Sequence, residues 1–185
     1  MNSPLRRLLA AAFLLATPLT AVRTDGGETQ PASGAPTLLI LVRHAEKTAG
    51  DPDPSLSAAG EQRAGALAHV LGDLDVDALY ASQYKRSRLT LEPLSRRVDV
   101  NIETSEISGS VDAWAAAFAA RLLERHRGQT VVVAGHSNTT PILARALGAN
   151  GVPDLTDADY DDLFWVLHDG KSVEFVHLHY GAVSE

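Results

Sequence analysis

The chain has 185 residues, enough for one ordinary domain, and is 45 % apolar but only 5 % aromatic, so aliphatic side chains and alanine must fill its core. A formal net charge of -7 argues against a nucleic-acid binder, which presents a basic face, but leaves room for a local basic pocket. The lack of cysteine excludes disulfides, thiolate chemistry and cysteine-ligated zinc.

The first residues have the pattern of an export signal. Arg6 and Arg7 precede the apolar run Leu8 to Ala16, which is too short to span a membrane comfortably, and TPLTA follows. Residues 1–21 are therefore expected to be a signal peptide, cut after Ala21, leaving no stable membrane span and a periplasmic or secreted protein. Residues 22–36 have the composition of a flexible polar linker. The folded domain is expected over 37–185.

Leu38 to Val42 is a continuous apolar run of strand length, as in a strand buried on both faces. After the loop GDPDPSL, Ser57 caps a helix whose Ala64, Leu67, Ala68 and Leu71 recur at helical spacing. Val76 to Ala81 is a second strand, Tyr84 to Arg96 a helix that Pro93 ends or kinks, and Val98 to Ile102 a short alternating strand. Ser110 caps a helix with Val111, Trp114, Phe118 and Leu122 on its apolar face and Gly128 at its stop. Thr130 to Ala134 is another fully apolar strand. Thr140-Pro141 opens a helix that ends at Gly148, and strands follow at 163–167 and 173–180. Strands alternating with helices predict an α/β fold, a three-layer α/β/α sandwich with a mainly parallel sheet. Such a sheet holds its ligand at the carboxyl ends of its strands.

Those ends carry chemistry. The first strand finishes in Arg43-His44, the second in Ser82 with Arg86 and Thr90 on the next helix, and TVVVA in Gly135-His136-Ser137-Asn138. Two arginines and two histidines at one sheet edge suit a compact dianion. Phosphate is the natural choice, since arginine's fork matches its oxygens and a helix opening follows His136.

Val42-Arg43-His44-Ala45-Glu46 resembles the "RHG" signature of the histidine phosphatase superfamily, the phosphoglycerate-mutase-like proteins, in its small branch-1 members; Ala45 stands for the more usual glycine. LSAAG at 56–60 resembles the turn and helix start that follow. YASQYKRSRLT resembles the second arginine motif with Arg86 in position, and VVVAGHSNT the second histidine motif with His136 in position. The resemblance covers nearly all of 37–180 and implies a phosphoglycerate-mutase-like sheet. It also implies that His44 attacks phosphorus to form a phosphohistidine that water hydrolyses, while Arg43, Arg86 and His136 bind and stabilise the transferring group. No metal or cofactor is implied, because the chain's own cations serve.

In many family members a carboxylic acid protonates the leaving oxygen. Glu106, in a loop between strand and helix, is the choice here and Asp112 the runner-up. The family's glutamate-glycine pattern is absent at this point, and Gly50 stands where many mutase-like members carry an asparagine. Glu46 and Asn138 are further candidate substrate contacts. Ser82 and Thr90 are read as orienting backbone or packing. His177 and His179 share one strand face, but no third metal ligand is legible, so they are read as the polar face of an edge strand. Asp157, Asp159, Asp161 and Asp162 are read as an acidic helix start. The expectation is an exported, metal-independent phosphatase acting on small phosphorylated molecules or a phosphoprotein. A weak phosphate-binding module and a phosphoglycerate mutase are the alternatives; the export signal and the short chain, with little room for a lid, argue against the mutase.

Overall fold

A computed structural model describes residues 34–184; the expected export signal and most of the expected linker lie outside them. Six strands form one sheet in the order β3-β2-β4-β1-β5-β6. They are β1 (Thr37–Arg43), β2 (Ala78–Ala81), β3 (Ile102–Thr104), β4 (Thr130–Gly135), β5 (Asp162–His168) and β6 (Val173–His179). The helices are α1 (Ala58–Leu71), α2 (Lys85–Val98), α3 (Val111–Arg125) and α4 (Thr140–Ala146). The first four strands run parallel to one another, and β5 and β6 are antiparallel additions beside β1.

The sandwich follows from strand alternation. Leu39 and Leu41 of β1 and Val131 and Val133 of β4 face one layer, where they pack with Phe118 and Leu122 of α3 and Leu143 of α4. Ile40, Val42, Val132 and Ala134 face the other, against Leu67 and Leu71 of α1 and Leu91 and Leu94 of α2. A strand with helices on both sides has no polar face, which is why β1 and β4 are apolar throughout. The three-layer α/β/α sandwich with a mainly parallel sheet is therefore the fold.

Ser57 and Ser110 cap α1 and α3 as expected, accepting hydrogen bonds from the N–H groups of Gly60 and Ala113. Three expectations need correction. Val98 closes α2 rather than opening a strand; Asp99 takes the left-handed conformation at φ 55°, and β3 begins only at Ile102. Pro93 neither ends nor breaks α2, which continues to Val98. The acidic run at 157–161 forms no helix; it is an irregular segment leading into β5. Among the described residues no helix is long and apolar enough to cross a membrane.

Candidate active site

The parallel pairing of β1 with β4 brings the two histidines together. Arg43 lies opposite Gly135, and the His44 N–H donates to the Gly135 carbonyl at 2.9 Å. The imidazoles of His44 and His136 are then 5.1 Å apart, centre to centre. Gly135 makes the turn possible: a side chain there would run into the hydroxyls of Thr139 and Thr140.

The Nδ1 of His44 lies 2.8 Å from the Ala45 carbonyl, an acceptor only, so Nδ1 carries the proton and Nε2 the lone pair. The Ala45 N–H donates to Thr90 Oγ1, which itself donates to the Arg86 carbonyl, fixing the loop that carries His44 to α2. Burial pushes the His44 pKa down to about 4; the Ala45 hydrogen bond opposes this, and Arg43, Arg86 and Lys47 add to it. His136 is pushed down to about 3, first by burial and then by His44, Arg86 and Arg43. Both rings are neutral at pH 7.

His136 is held at both its backbone and its ring. Its N–H donates to Thr139 Oγ1 at 2.9 Å, and its Nε2 lies 2.9 Å from Ser82 Oγ, at the end of β2. Ser82 in turn bonds Ser87 at 2.8 Å. Tyr84 meets the His136 ring edge-on at 5.2 Å, and the Arg86 guanidinium stacks over Tyr84 at 4.5 Å. Asp53, from the loop before α1, accepts from the Lys85 N–H at the start of α2 and stands 3.7 Å from Arg86 Nη1.

Arg43 is gripped from the far side. Its Nη1 donates to the carbonyls of Thr156 (2.7 Å) and Asp159 (3.0 Å), and the Tyr160 ring covers it at 3.9 Å. The Nε–H groups of Arg43 and Arg86 are buried and make no hydrogen bond among the described residues. Two such donors beside a neutral imidazole are what an incoming oxyanion requires. The cleft they line has a volume of about 310 Å³ and is shared by His44, His136, Lys47, Asn138 and Asp157. A larger cavity, about 620 Å³, lies at the opposite end of the sheet near Thr37 and His168, away from this chemistry.

The structure thus brings together Arg43, His44, Arg86, His136 and Asn138. It takes Glu46 elsewhere: its carboxylate receives Nε and Nη2 of the buried Arg63, at 2.7 Å for the shorter contact, which makes it a fold-holding group and not a substrate contact. Glu106 is also outside the cleft. Gln83 clasps the backbone of Ile107 through its N–H and carbonyl, setting Ile107 on the cleft while Glu106 lines a neighbouring cavity with Trp114 and Arg121. Asp112 is exposed in the first turn of α3 and does not line the cleft either. The carboxylate that does is Asp157, 3.8 Å from Arg43 Nη2. Ser82, read from the sequence as orienting backbone or packing, anchors the His136 ring.

Residues 39–108 match the family described as the histidine phosphatase superfamily, branch 1. The chain carries a histidine phosphatase fold. Solved structures agree over most of its length. A mycobacterial glucosyl-3-phosphoglycerate phosphatase superposes with a TM-score of 0.60 at 16 % identity, covering 79 % of this chain and 99 % of its own. YhfR of Bacillus stearothermophilus gives 0.59 at 18 % identity, with coverages of 75 % and 94 %. A phosphoserine phosphatase of Entamoeba histolytica, in complex with 3-phosphoglyceric acid, gives 0.55 at 17 %, with coverages of 80 % and 98 %. At such identities the likeness concerns the fold. No curated protein sequence matches the chain. The histidine phosphatase match ends at residue 108, before His136, so the second histidine rests on the geometry of β4 and its turn.

Proposed function

We propose that this chain is an exported phosphatase that hydrolyses small phosphomonoesters through a phosphohistidine on His44. The observation that carries the reading is His44 itself: Nδ1 bound to the Ala45 carbonyl, and Nε2 left as a lone pair on a ring that lines one cleft with buried Arg43 and half-buried Arg86, whose Nε–H groups are both unpaired. Nε2 attacks phosphorus, the P–O ester bond breaks, and the leaving oxygen takes a proton. Water then attacks the phosphohistidine, the P–N bond breaks, and its electron pair returns to Nε2 as phosphate departs. Arg43 and Arg86 balance the charge on the transferring oxygens, and such positioning and charge stabilisation dominate phosphoryl transfer.

The proton is delivered at the mouth of the cleft, where Asp157 stands; Glu106 lies in the next cavity. The mechanism needs no metal, since the arginines supply the positive charge. Phosphatase activity in the names of two proteins of the same fold favours a phosphoric ester as substrate. The N-terminal pattern of arginines and apolar residues favours export to the periplasm or beyond.

The test is phosphate release by the full chain from a panel of phosphomonoesters with EDTA present throughout. Turnover should survive EDTA and fall by about 10³-fold or more in His44→Ala, as expected for loss of a nucleophile. Asp157→Asn should slow esters with poor leaving groups while sparing good ones, and Glu106→Gln should spare both. Native chain that binds phosphate but releases none from any ester would overturn hydrolysis in favour of a binding module.

A further inference from the structure

A second cluster of ligating side chains stands at the edge of the sheet, outside the cleft. Asp162 opens β5, and His177 and His179 lie on β6. The antiparallel register sets Asp162 opposite His179 and Phe164 opposite His177, so all three polar residues project from one face of the ladder. Asp162 Oδ1 contacts Nε2 of His177 and lies 3.9 Å from Nδ1 of His179. The three donor atoms are all within 4.8 Å of one another. Asp161 brings a second carboxylate, its Oδ2 3.3 Å from Nδ1 of His179.

Each imidazole has a carboxylate beside it, His177 that of Asp162 and His179 that of Asp161, and Asp162 Oδ1, on a residue only 7 % exposed, also faces His179. The two rings stand 4.7 Å apart on the same face, so their nitrogens and the Asp162 oxygen can share one ion. Bonds of about 2.0–2.1 Å in a tetrahedron hold their donors roughly 3.3 Å apart, which small side-chain rotations reach from the observed spacings. Two nitrogens and one or two carboxylate oxygens suit zinc and its neighbours, whereas calcium and magnesium prefer oxygen alone.

We propose that Asp162, His177 and His179, with Asp161 at the rim, bind a divalent cation of the zinc class. The ion ties β6 to β5 two residues beyond Tyr160, the ring that covers Arg43. Its role is structural, and it is separate from the chemistry at His44.

The test is a titration of the full chain, stripped with EDTA and freed of chelator, with Co²⁺ as the spectroscopic probe and Zn²⁺ as the stabilising ion. Cobalt should produce a visible d–d band that saturates at one equivalent. The band should persist in His44→Ala and in the surface control His69→Ala, and be lost in His177→Ala and in His179→Gln. The latter changes a side chain that is 61 % exposed and is therefore tolerated by the fold. Excess Zn²⁺ should raise the Tm of the native chain by about 5 °C and leave His179→Gln unmoved. A native chain without a saturable band overturns the site. So does a band unchanged in both edge-strand variants, or one lost in His44→Ala, which would put the ion in the cleft.

Discussion

His136 has no hydrogen-bonding freedom on the Ser82 side: its Nε2 is bonded to a hydroxyl that is bonded to another, all buried. Ser82→Ala would leave that nitrogen unpaired inside the protein and let the ring turn. Loss of one buried hydrogen bond is worth about tenfold, so kcat should fall by roughly that factor. KM should change little, because both arginines stay in place; steady-state kinetics on one ester separates the two. In the sequence, Ser82 was visible as a polar residue closing an apolar strand at the edge that also holds both histidines. The bond to His136 was not, because it spans 54 residues of chain. The same limit explains Glu46 and Glu106. Glu46 is claimed by Arg63 across the loop into α1, and Glu106 is turned aside by the clasp of Gln83 on Ile107. Neither partner is marked by periodicity or by a motif.

At the scale of elements, legibility followed burial. Strands β1 and β4 are covered on both faces, so their apolar runs announce themselves. The sheet-edge strand β3 is half-exposed, and the alternation in VDVNI fits a helix end plus a turn as well as it fits a strand. There α2 continues to Val98 because its apolar positions Leu91 and Leu94 already pack on the sheet. The start of α1 carries a sharper constraint. Gly60 lies directly against the backbone carbonyl of Glu46, the same carbonyl that accepts from the Ser57 N–H. A methyl group there has no room, and the obstacle is backbone, which cannot swing aside. Gly60→Ala, normally favourable in a helix, should therefore destabilise the chain by about 2 kcal/mol, on the scale of an overpacked site. Urea denaturation measures it, and a neutral or stabilising outcome would show that α1 docks more loosely than described.

For the whole molecule, the two neutral imidazoles link stability to pH. His44 and His136 have folded pKa values of about 4 and 3 against 6.5 for the free side chain. Below pH 6.5 the unfolded chain takes up protons that the folded chain refuses. Their contribution is therefore fully present above 6.5 and is lost as pH falls towards about 4. Urea denaturation should report a loss of about 4 kcal/mol between pH 7 and pH 5, roughly half from each histidine. Inorganic phosphate should shrink that difference, because a bound dianion favours the protonated rings. His44→Ala should shrink it too.

The sheet order has one more consequence, for the timing of assembly. His44, the proposed nucleophile, is made early, yet β1 pairs with β4 and β5 and with no strand between them in sequence. Strand β4 wedges between β1 and β2, so the segment from 39 to 108 that matches the histidine phosphatase superfamily lacks the strand that joins its own halves. Contacts that distant in sequence form late and slowly. Until residue 136 has been synthesised, the chain has His44 but not the His136 that faces it across the cleft. A growing polypeptide of this design stays open and chemically silent for most of its synthesis. Were the proposed export to precede folding, the cleft would form only on the far side of the membrane.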